Sequence, residues 1–221
     1  MLPAEVRDLA RRLSPAHAGE SSVMLTQTGT MRDQPDDREM RFRAHQTIAL
    51  RQPAFRWQAS TGPFGCISII DAFENGAATL QVRAVGLFRL ANIKGGAAAA
   101  KGEAMRYLAE LAWAPDAIRD NPHLEWSVSD AETFSVGLRL GAERVAVQMK
   151  LDARGRIASV SAPDRPRKEA SGFIERPWFG RFFDYREHLG RWLPYSAEAG
   201  WVLDGHEFVA WRGNIRSWTI S

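Results

Sequence analysis

The chain has 221 residues, of which 45% are apolar and 25% charged, the balance of an ordinary globular protein. The formal net charge is only +3. Basic runs are short, at Arg11-Arg12 and within 165–168, and short runs of this kind are typical of a solvent-exposed surface. The sequence therefore disfavours a nucleic-acid partner. The single cysteine, Cys66, excludes an internal disulfide and any metal site built from several cysteines.

The first residues carry charges every few positions, whereas a signal peptide has an unbroken apolar stretch. No segment reaches the roughly 18 apolar residues of a membrane span. We therefore expect a cytoplasmic protein without stable membrane insertion. The length is compatible with a single domain over residues 1–221, and nothing in the sequence indicates a particular oligomeric state.

An N-terminal helix is predicted within residues 1–14, because Val6, Leu9 and Leu13 recur at helical spacing on one face. From residue 22 the apolar period changes to two, which is typical of strands with one wet face. This pattern predicts about six strands over 22–93, the last from Gly86 to Ile93.

A helical segment is predicted in the middle of the chain, over 97–118, after the break at Gly95-Gly96. Period two then returns and predicts about six further strands over 125–218, with 163–170 as a candidate mobile loop. The order lacks a βαβ rhythm. We therefore predict a mainly β fold, a curved antiparallel sheet or half-open β-barrel of about 11 to 13 strands with an N-terminal helix and a central helical lid.

Aromatic residues are abundant, with eight tryptophans and eleven phenylalanines. The two helices offer too little surface to cover the apolar face of so many strands, so we expect the sheet to curl on itself. The aromatic side chains then either fill the interior as an ordinary core or line a slot for a lipid-like, polyketide-like or aromatic molecule. The candidate ligand-binding residues are Trp57, Trp113, Trp178, Tyr185 and Trp211.

Polar residues on the central helix form a second candidate group. Glu103, Arg106, Tyr107 and Glu110 share a helical face, which is either an exposed, salt-bridged surface or a cap over the barrel mouth. In the second case Arg106 is presented to an acidic head group, or Glu110 acts as a base whose pKa is raised by burial. Asp71 lies in an otherwise apolar strand, where it either faces outward or needs a partner such as Arg106. The candidate catalytic residues are Glu110, Arg106, Asp71 and Tyr107.

Motifs of the common enzyme classes are absent. The five histidines, at positions 17, 45, 123, 188 and 206, form no HxH or HExxH pair. The sequence also lacks a G-x-S-x-G elbow and a phosphate-binding glycine loop. We therefore predict neither a metal nor a cofactor.

Three short motifs carry a resemblance. They are the sequence MRYLAELAWAPDAI at 105–118, ERPWFG at 175–180 and WRG at 211–213. Together they resemble a bacterial domain-of-unknown-function family, over most of the chain. At the level of topology, the order of helix, strands, helix and strands looks like the lipoprotein-carrier architecture of LolA-type proteins, which implies a half-open barrel with a helical lid and an apolar cavity. Those carriers are periplasmic, whereas this sequence shows no export signal.

Three functional hypotheses follow. The first is the binding of a hydrophobic or amphiphilic small molecule in a barrel cavity. The second is a cofactor-independent enzyme, such as a cyclase, isomerase or hydrolase, that uses carboxylate, arginine and tyrosine side chains as acid and base in that cavity. The third is a structural or interaction domain whose core is filled.

Overall fold

The computed structural model describes residues 2–14, 19–84, 88–94 and 96–221. The first half of the chain contains α1 (Ala4–Leu13), β1 (Ser22–Met31), β2 (Met40–Ala49), β3 (Phe55–Thr61), β4 (Ile67–Glu74), β5 (Ala77–Ala84) and β6 (Phe88–Lys94). The second half contains α2 (Ala97–Ala109), α3 (Ala117–Asp120), β7 (Glu125–Val128), β8 (Thr133–Leu140), β9 (Glu143–Leu151), β10 (Ile157–Glu169), β11 (Gly172–His188), β12 (Arg191–Leu203) and β13 (His206–Ile220).

All the strands belong to one sheet, in the order β6-β5-β4-β3-β2-β1-β13-β12-β11-β10-β9-β8-β7. Neighbouring strands pair antiparallel, and β1 pairs with β13, so the first and last strands of the chain meet in the middle of the sheet. The sheet is open, with β6 and β7 at its edges. The prediction of a mainly β fold with a curved antiparallel sheet is confirmed.

The period-two pattern corresponds to the two faces of the sheet. In β2, Phe42, Ala44, Gln46 and Ile48 are buried, and the residues that alternate with them are exposed. In β3, Phe55, Trp57, Ala59 and Thr61 are buried in the same alternation. Because successive side chains of a strand point to opposite faces, one face of the sheet forms the core and the other faces solvent.

The central helical segment connects the two edge strands and packs against both halves of the sheet. Helix α2 contacts β4 and β5 on one side and β8 to β11 on the other. The prediction of one helix over 97–118 is wrong in detail. After α2 the chain forms a 3-10 turn at Glu110–Ala112 and then the separate helix α3. Pro115 explains the break, since it lacks a backbone N–H and disfavours helical geometry in the residue before it.

Strand β10 contains the stretch that was predicted to be a mobile loop. It spans Ile157–Glu169 and pairs with β11, with an irregular register between Ala162 and Arg165. That irregularity accommodates Pro163, which cannot donate a hydrogen bond to the ladder. The prediction that the basic run at 165–168 lies on the surface is also wrong for Arg165 and Arg167, because their side chains are only 13% and 7% exposed.

The N-terminal helix docks at the end of the sheet where β11 turns into β12. Its apolar face, with Val6, Leu9 and Leu13, is buried, and α1 contacts α3, β7 and β12. A buried ion pair lies beside it: Arg191 donates to Asp116 from Nε at 2.8 Å and from Nη2 at 3.0 Å. Ser14, at the end of α1, donates to the same carboxylate at 2.7 Å.

Parts of some predictions lie outside the described residues. These are His17, the start of the sixth strand at Gly86-Leu87, and Gly95. Among the residues that are described, none of the helices has the length and apolar composition needed to cross a membrane.

Candidate functional site

A cavity of about 480 Å³ lies between α2 and the concave face of the sheet. Strands from both halves of the sheet contribute to its wall, and α2 contributes Arg106 and Ala109. The larger apolar side chains of the lining are Met31, Met40, Trp57, Ile69, Leu80, Val82, Trp113, Val160, Trp178, Phe182 and Trp211.

The aromatic walls are held in edge and stacked contacts. Trp113 meets Phe182 edge-on at 5.7 Å and Trp211 at 6.2 Å between ring centroids. The indole N–H of Trp113 donates to the carbonyl of Pro194 at 2.9 Å, so its ring has a fixed orientation. Gly213 makes room for Trp211, since a Cβ at this position would lie 2.2 Å from the indole ring. The rings form a rigid wall.

Charged residues form the polar floor of the cavity. Arg106 donates from Nη1 to Asp71 Oδ2 at 2.5 Å and from Nε to Glu110 Oε1 at 2.8 Å. The guanidinium also lies 4.6 Å from the ring centroid of Phe55. Burial lowers the pKa of Arg106, but the neighbouring carboxylates outweigh it and hold this pKa above its usual value. Arg106 is therefore a fixed cation between two acids.

Two buried glutamines extend this floor along β1 and β2. Gln46 donates from Nε2 to Glu110 Oε2 at 2.5 Å, and Gln27 donates from Nε2 to Gln46 Oε1 at 3.1 Å. The indole N–H of Trp57 completes the chain by donating to Gln27 Oε1 at 2.9 Å. These bonds satisfy the polar groups of a site that is otherwise apolar, as burial requires.

Glu103 lies behind the floor, one turn before Arg106. Its Oε1 is 3.7 Å from Arg165 Nη2, and its Oε2 is 4.0 Å from Arg106 Nη1. Oε2 is buried and has no hydrogen-bond partner. Burial, with Asp71 nearby, raises the pKa of Glu103 to about 7. Burial also raises the pKa of Glu110, against the opposing effect of Arg106.

The structure brings together three of the four predicted catalytic residues, Asp71, Arg106 and Glu110, at the cavity. Four of the five predicted ligand-binding residues, Trp57, Trp113, Trp178 and Trp211, line the same cavity.

Two tyrosines lie elsewhere, and their predicted placement is wrong. Tyr107 has no exposed surface; its hydroxyl donates to the carbonyl of Ala49 at 3.2 Å and accepts from Asn121 Nδ2 at 2.7 Å. The Tyr185 hydroxyl donates to the carbonyl of Ile157 at 2.7 Å, and its ring packs under Arg156. Both side chains are engaged in packing away from the ligand space.

Sequence reasoning missed Gln27, Gln46 and Arg165. Gln46 occupies an inward position in the alternation of β2, between Ala44 and Ile48, and that interruption of an apolar face is a signal of a buried polar network. The position of Arg165 carries no such signal, because a basic run usually lies on a surface. Within the described ranges, no group of three His, Cys, Asp or Glu side chains is placed to hold a metal ion.

A family model described as a family of unknown function, DUF6544, matches residues 1–213. The chain belongs to the DUF6544 family. No curated protein matches it. Membership of this family agrees with the resemblance carried by the three motifs.

Solved structures share its fold. A LolA superfamily protein from Nitrosomonas europaea superposes with a TM-score of 0.51 at 14% identity, over 97% of this chain and 92% of that one. A candidate outer membrane lipoprotein-sorting protein domain from Vibrio parahaemolyticus superposes with a TM-score of 0.53 at 11% identity, over 98% of this chain and 90% of that one. A DUF1329 family protein from Desulfovibrio piger superposes with a TM-score of 0.50 at 6% identity, over 97% of this chain and 88% of that one. The fold of this DUF6544 member is LolA-like.

Proposed function

We propose that this protein binds a hydrophobic or amphiphilic small molecule in the cavity between α2 and the sheet. The observation that carries the proposal is the lining itself, in which tryptophan and aliphatic walls meet one compact polar floor. The volume of about 480 Å³ lies in the range of ligand sites, roughly 300 to 1,000 Å³. Such a shape holds an apolar body against the walls and orients its polar end at the floor.

The cavity also argues against a purely structural domain with a filled core. A filled core packs densely and leaves few voids larger than a water molecule, whereas this cavity opens to solvent between apolar walls. A cavity of about 480 Å³ leaves many aromatic atoms without contacts on one side. A bound ligand restores those contacts, so its binding is favourable.

The likeness to a lipoprotein-sorting domain supports the same proposal by analogy of shape. An open, curved sheet with a helix over its concave face can enclose apolar cargo, and this chain has both features. We therefore extend the proposal to a carrier role. We also propose the cytoplasm as its compartment, and recovery in a periplasmic fraction would contradict that placement.

A cavity-filling variant tests the binding function. Ala199 lines the cavity on β12, and Ala199→Phe places a ring inside it. We expect the affinity for N-phenyl-1-naphthylamine, an uncharged apolar fluorescent probe, to fall at least about tenfold, because one ring occupies the space that the probe needs. The matched control is Ala146→Phe on β9, whose side chain points to the face opposite its buried neighbours Val145 and Val147.

Two results would count against binding: no saturable uptake of the probe by the wild type, or equal affinity in both variants. Native mass spectrometry of protein isolated from its own cells gives a direct check, since a carrier retains part of its cargo.

An enzyme is the second candidate, favoured by the raised pKa values of Glu103 and Glu110 beside the cavity. Carboxyl groups with raised pKa values serve as general acids and bases near neutral pH. Glu110→Gln separates the two functions. A binding protein keeps its ligand affinity within a few fold, whereas an enzyme loses conversion of the co-purified ligand while still binding it.

A further inference from the structure

The charges at the floor of the cavity and directly behind it do not balance. Three carboxyl groups, on Asp71, Glu103 and Glu110, face two guanidinium groups, on Arg106 and Arg165. Helix α2 supplies Glu103 and Arg106, and the 3-10 turn that follows it supplies Glu110. Strand β4 supplies Asp71 and strand β10 supplies Arg165. With every group ionised, the cluster carries one excess negative charge.

Neither of these two arginines is available to an anionic head group. The third arginine of the lining, Arg32, is held by the carbonyls of Val209 and Pro35. Arg106 is held by Asp71 and Glu110, and its guanidinium lies 4.6 Å from the Phe55 ring centroid and 5.4 Å from that of Trp57.

Arg165 donates from Nε to the carbonyl of Gly102 at 3.0 Å and lies 4.7 Å from the ring centroid of Trp178. An anion at the floor would have to displace these contacts and to approach three carboxylates. Both requirements oppose its binding.

Glu103 is the acid that remains without a close partner. Its nearest guanidinium contacts are 3.7 and 4.0 Å, and its buried Oε2 has no hydrogen bond. A buried carboxylate in this position holds a proton unless another cation compensates it. The raised pKa of Glu103, about 7, agrees with this geometry.

From this arrangement, and resting on the proposed binding function, we infer that the ligand is an amphiphile with a cationic head group, such as a protonated amine or a quaternary ammonium. The head group lies at the floor beside Asp71, and the apolar tail lies against the aromatic walls. Indole faces attract cations as well, and four tryptophans line this cavity. The bound cation supplies the missing positive charge, so Glu103 releases its proton to solvent.

The test compares three probes on the intact protein. Decyltrimethylammonium carries a fixed positive charge, decanoate carries a negative charge, and N-phenyl-1-naphthylamine is uncharged. Calorimetry in two buffers of different ionisation enthalpy measures the protons exchanged. We expect the cationic probe to bind more tightly than decanoate and to release about half a proton near pH 7, and its affinity to fall about tenfold from pH 8 to pH 6.

Two isosteric variants locate the effect, with the uncharged probe reporting that each one is folded. Asp71→Asn should lower the affinity for decyltrimethylammonium at least about tenfold more than the affinity for the uncharged probe. The cation loses its carboxylate, whereas the loss of the ion pair with Arg106 affects both probes alike. Glu103→Gln should abolish proton release. The control is Glu125→Gln, which removes one carboxylate that pairs with Arg139 and Arg144 outside the cavity and should change neither quantity.

The outcomes separate this inference from the proposed function. Tighter binding of decanoate, proton uptake in place of release, or an unchanged cation affinity in Asp71→Asn would overturn the inference and leave ligand binding intact. If the uncharged probe also fails to bind the wild type, the proposed function fails, and the inference with it.

Discussion

Arg106 on α2 and Asp71 on β4 form the ion pair that fastens the central helix to the first half of the sheet. Their charged atoms lie 2.5 Å apart, and the side chains are only 20% and 17% exposed. The same guanidinium reaches Glu110, whose side chain is 8% exposed. One cation therefore holds the helix, the strand and the floor of the cavity together.

Truncation of this cation should be costly. Arg106→Ala leaves Asp71 and Glu110 buried without their partner, so we expect urea unfolding to show a loss of about 3 to 5 kcal/mol. The matched control is Arg139→Ala, since Arg139 and Glu125 are 64% and 38% exposed and a pair of this kind contributes about 0 to 1 kcal/mol. If the free energy of unfolding of Arg106→Ala stays within about 0.5 kcal/mol of the wild-type value, the cluster contributes no more than an exposed ion pair.

Glu103 should make stability depend on pH. Its pKa is raised in the folded state to about 7 from a usual 4.5, so between these pH values the folded protein holds a proton that the unfolded chain has lost. The stability that this proton contributes is therefore lost as pH rises from 4.5 to 7. Glu103→Gln cannot ionise, so its stability lacks this pH dependence. We expect the free energy of unfolding of the variant minus that of the wild type to increase by roughly 2 kcal/mol from pH 5 to pH 8. Chemical unfolding at both pH values measures this difference, and a constant difference would contradict the raised pKa.

Tyr107 should matter for stability and not for binding. Its hydroxyl bonds to Asn121 Nδ2 and to the carbonyl of Ala49 in a fully buried site, and Tyr107→Phe removes both hydrogen bonds. We expect a loss of about 1 to 3 kcal/mol in the free energy of unfolding. Titration with the uncharged probe should give the wild-type affinity. A selective loss of affinity at unchanged stability would place Tyr107 in the site after all.

The buried pair of Arg191 and Asp116 should depend on the shape of the guanidinium. Arg191 donates two bonds to Asp116 from one planar fork, at 2.8 and 3.0 Å, and a third to the carbonyl of Leu189 at 2.9 Å. Lysine keeps the charge but cannot reproduce this fork. We expect Arg191→Lys to lower the free energy of unfolding by about 2 to 4 kcal/mol while the probe affinity is kept. Stability equal to that of the wild type would mean that charge alone suffices.

The strands could be read from the sequence because their signal is local. A strand with one buried face alternates whatever its partners are. Asn75-Gly76, the turn between β4 and β5, favours a hairpin because both residues tolerate the positive φ that they adopt there. The same local reasoning failed at 97–118 and at 163–170. Pro115 divides the first segment into two helices, and pairing with β11 holds the second in a strand despite its prolines.

The site depended on contacts between distant parts of the chain. Spacing along the central helical segment placed Glu103, Arg106 and Glu110 on one stripe, but Tyr107, one position after Arg106, points into the core. Residues one position apart on a helix differ by about 100° in direction, so the docking of the helix decides which of them reaches the cavity. Arg165 shows the same limit, because its basic run indicated a surface until the tertiary structure placed it beside Trp178. The sequence by itself determined the strand pattern and the stripe of charges, which follow from local periodicity. Only the tertiary structure decided which side chains share the cavity, because that depends on which strands and helix faces meet across it.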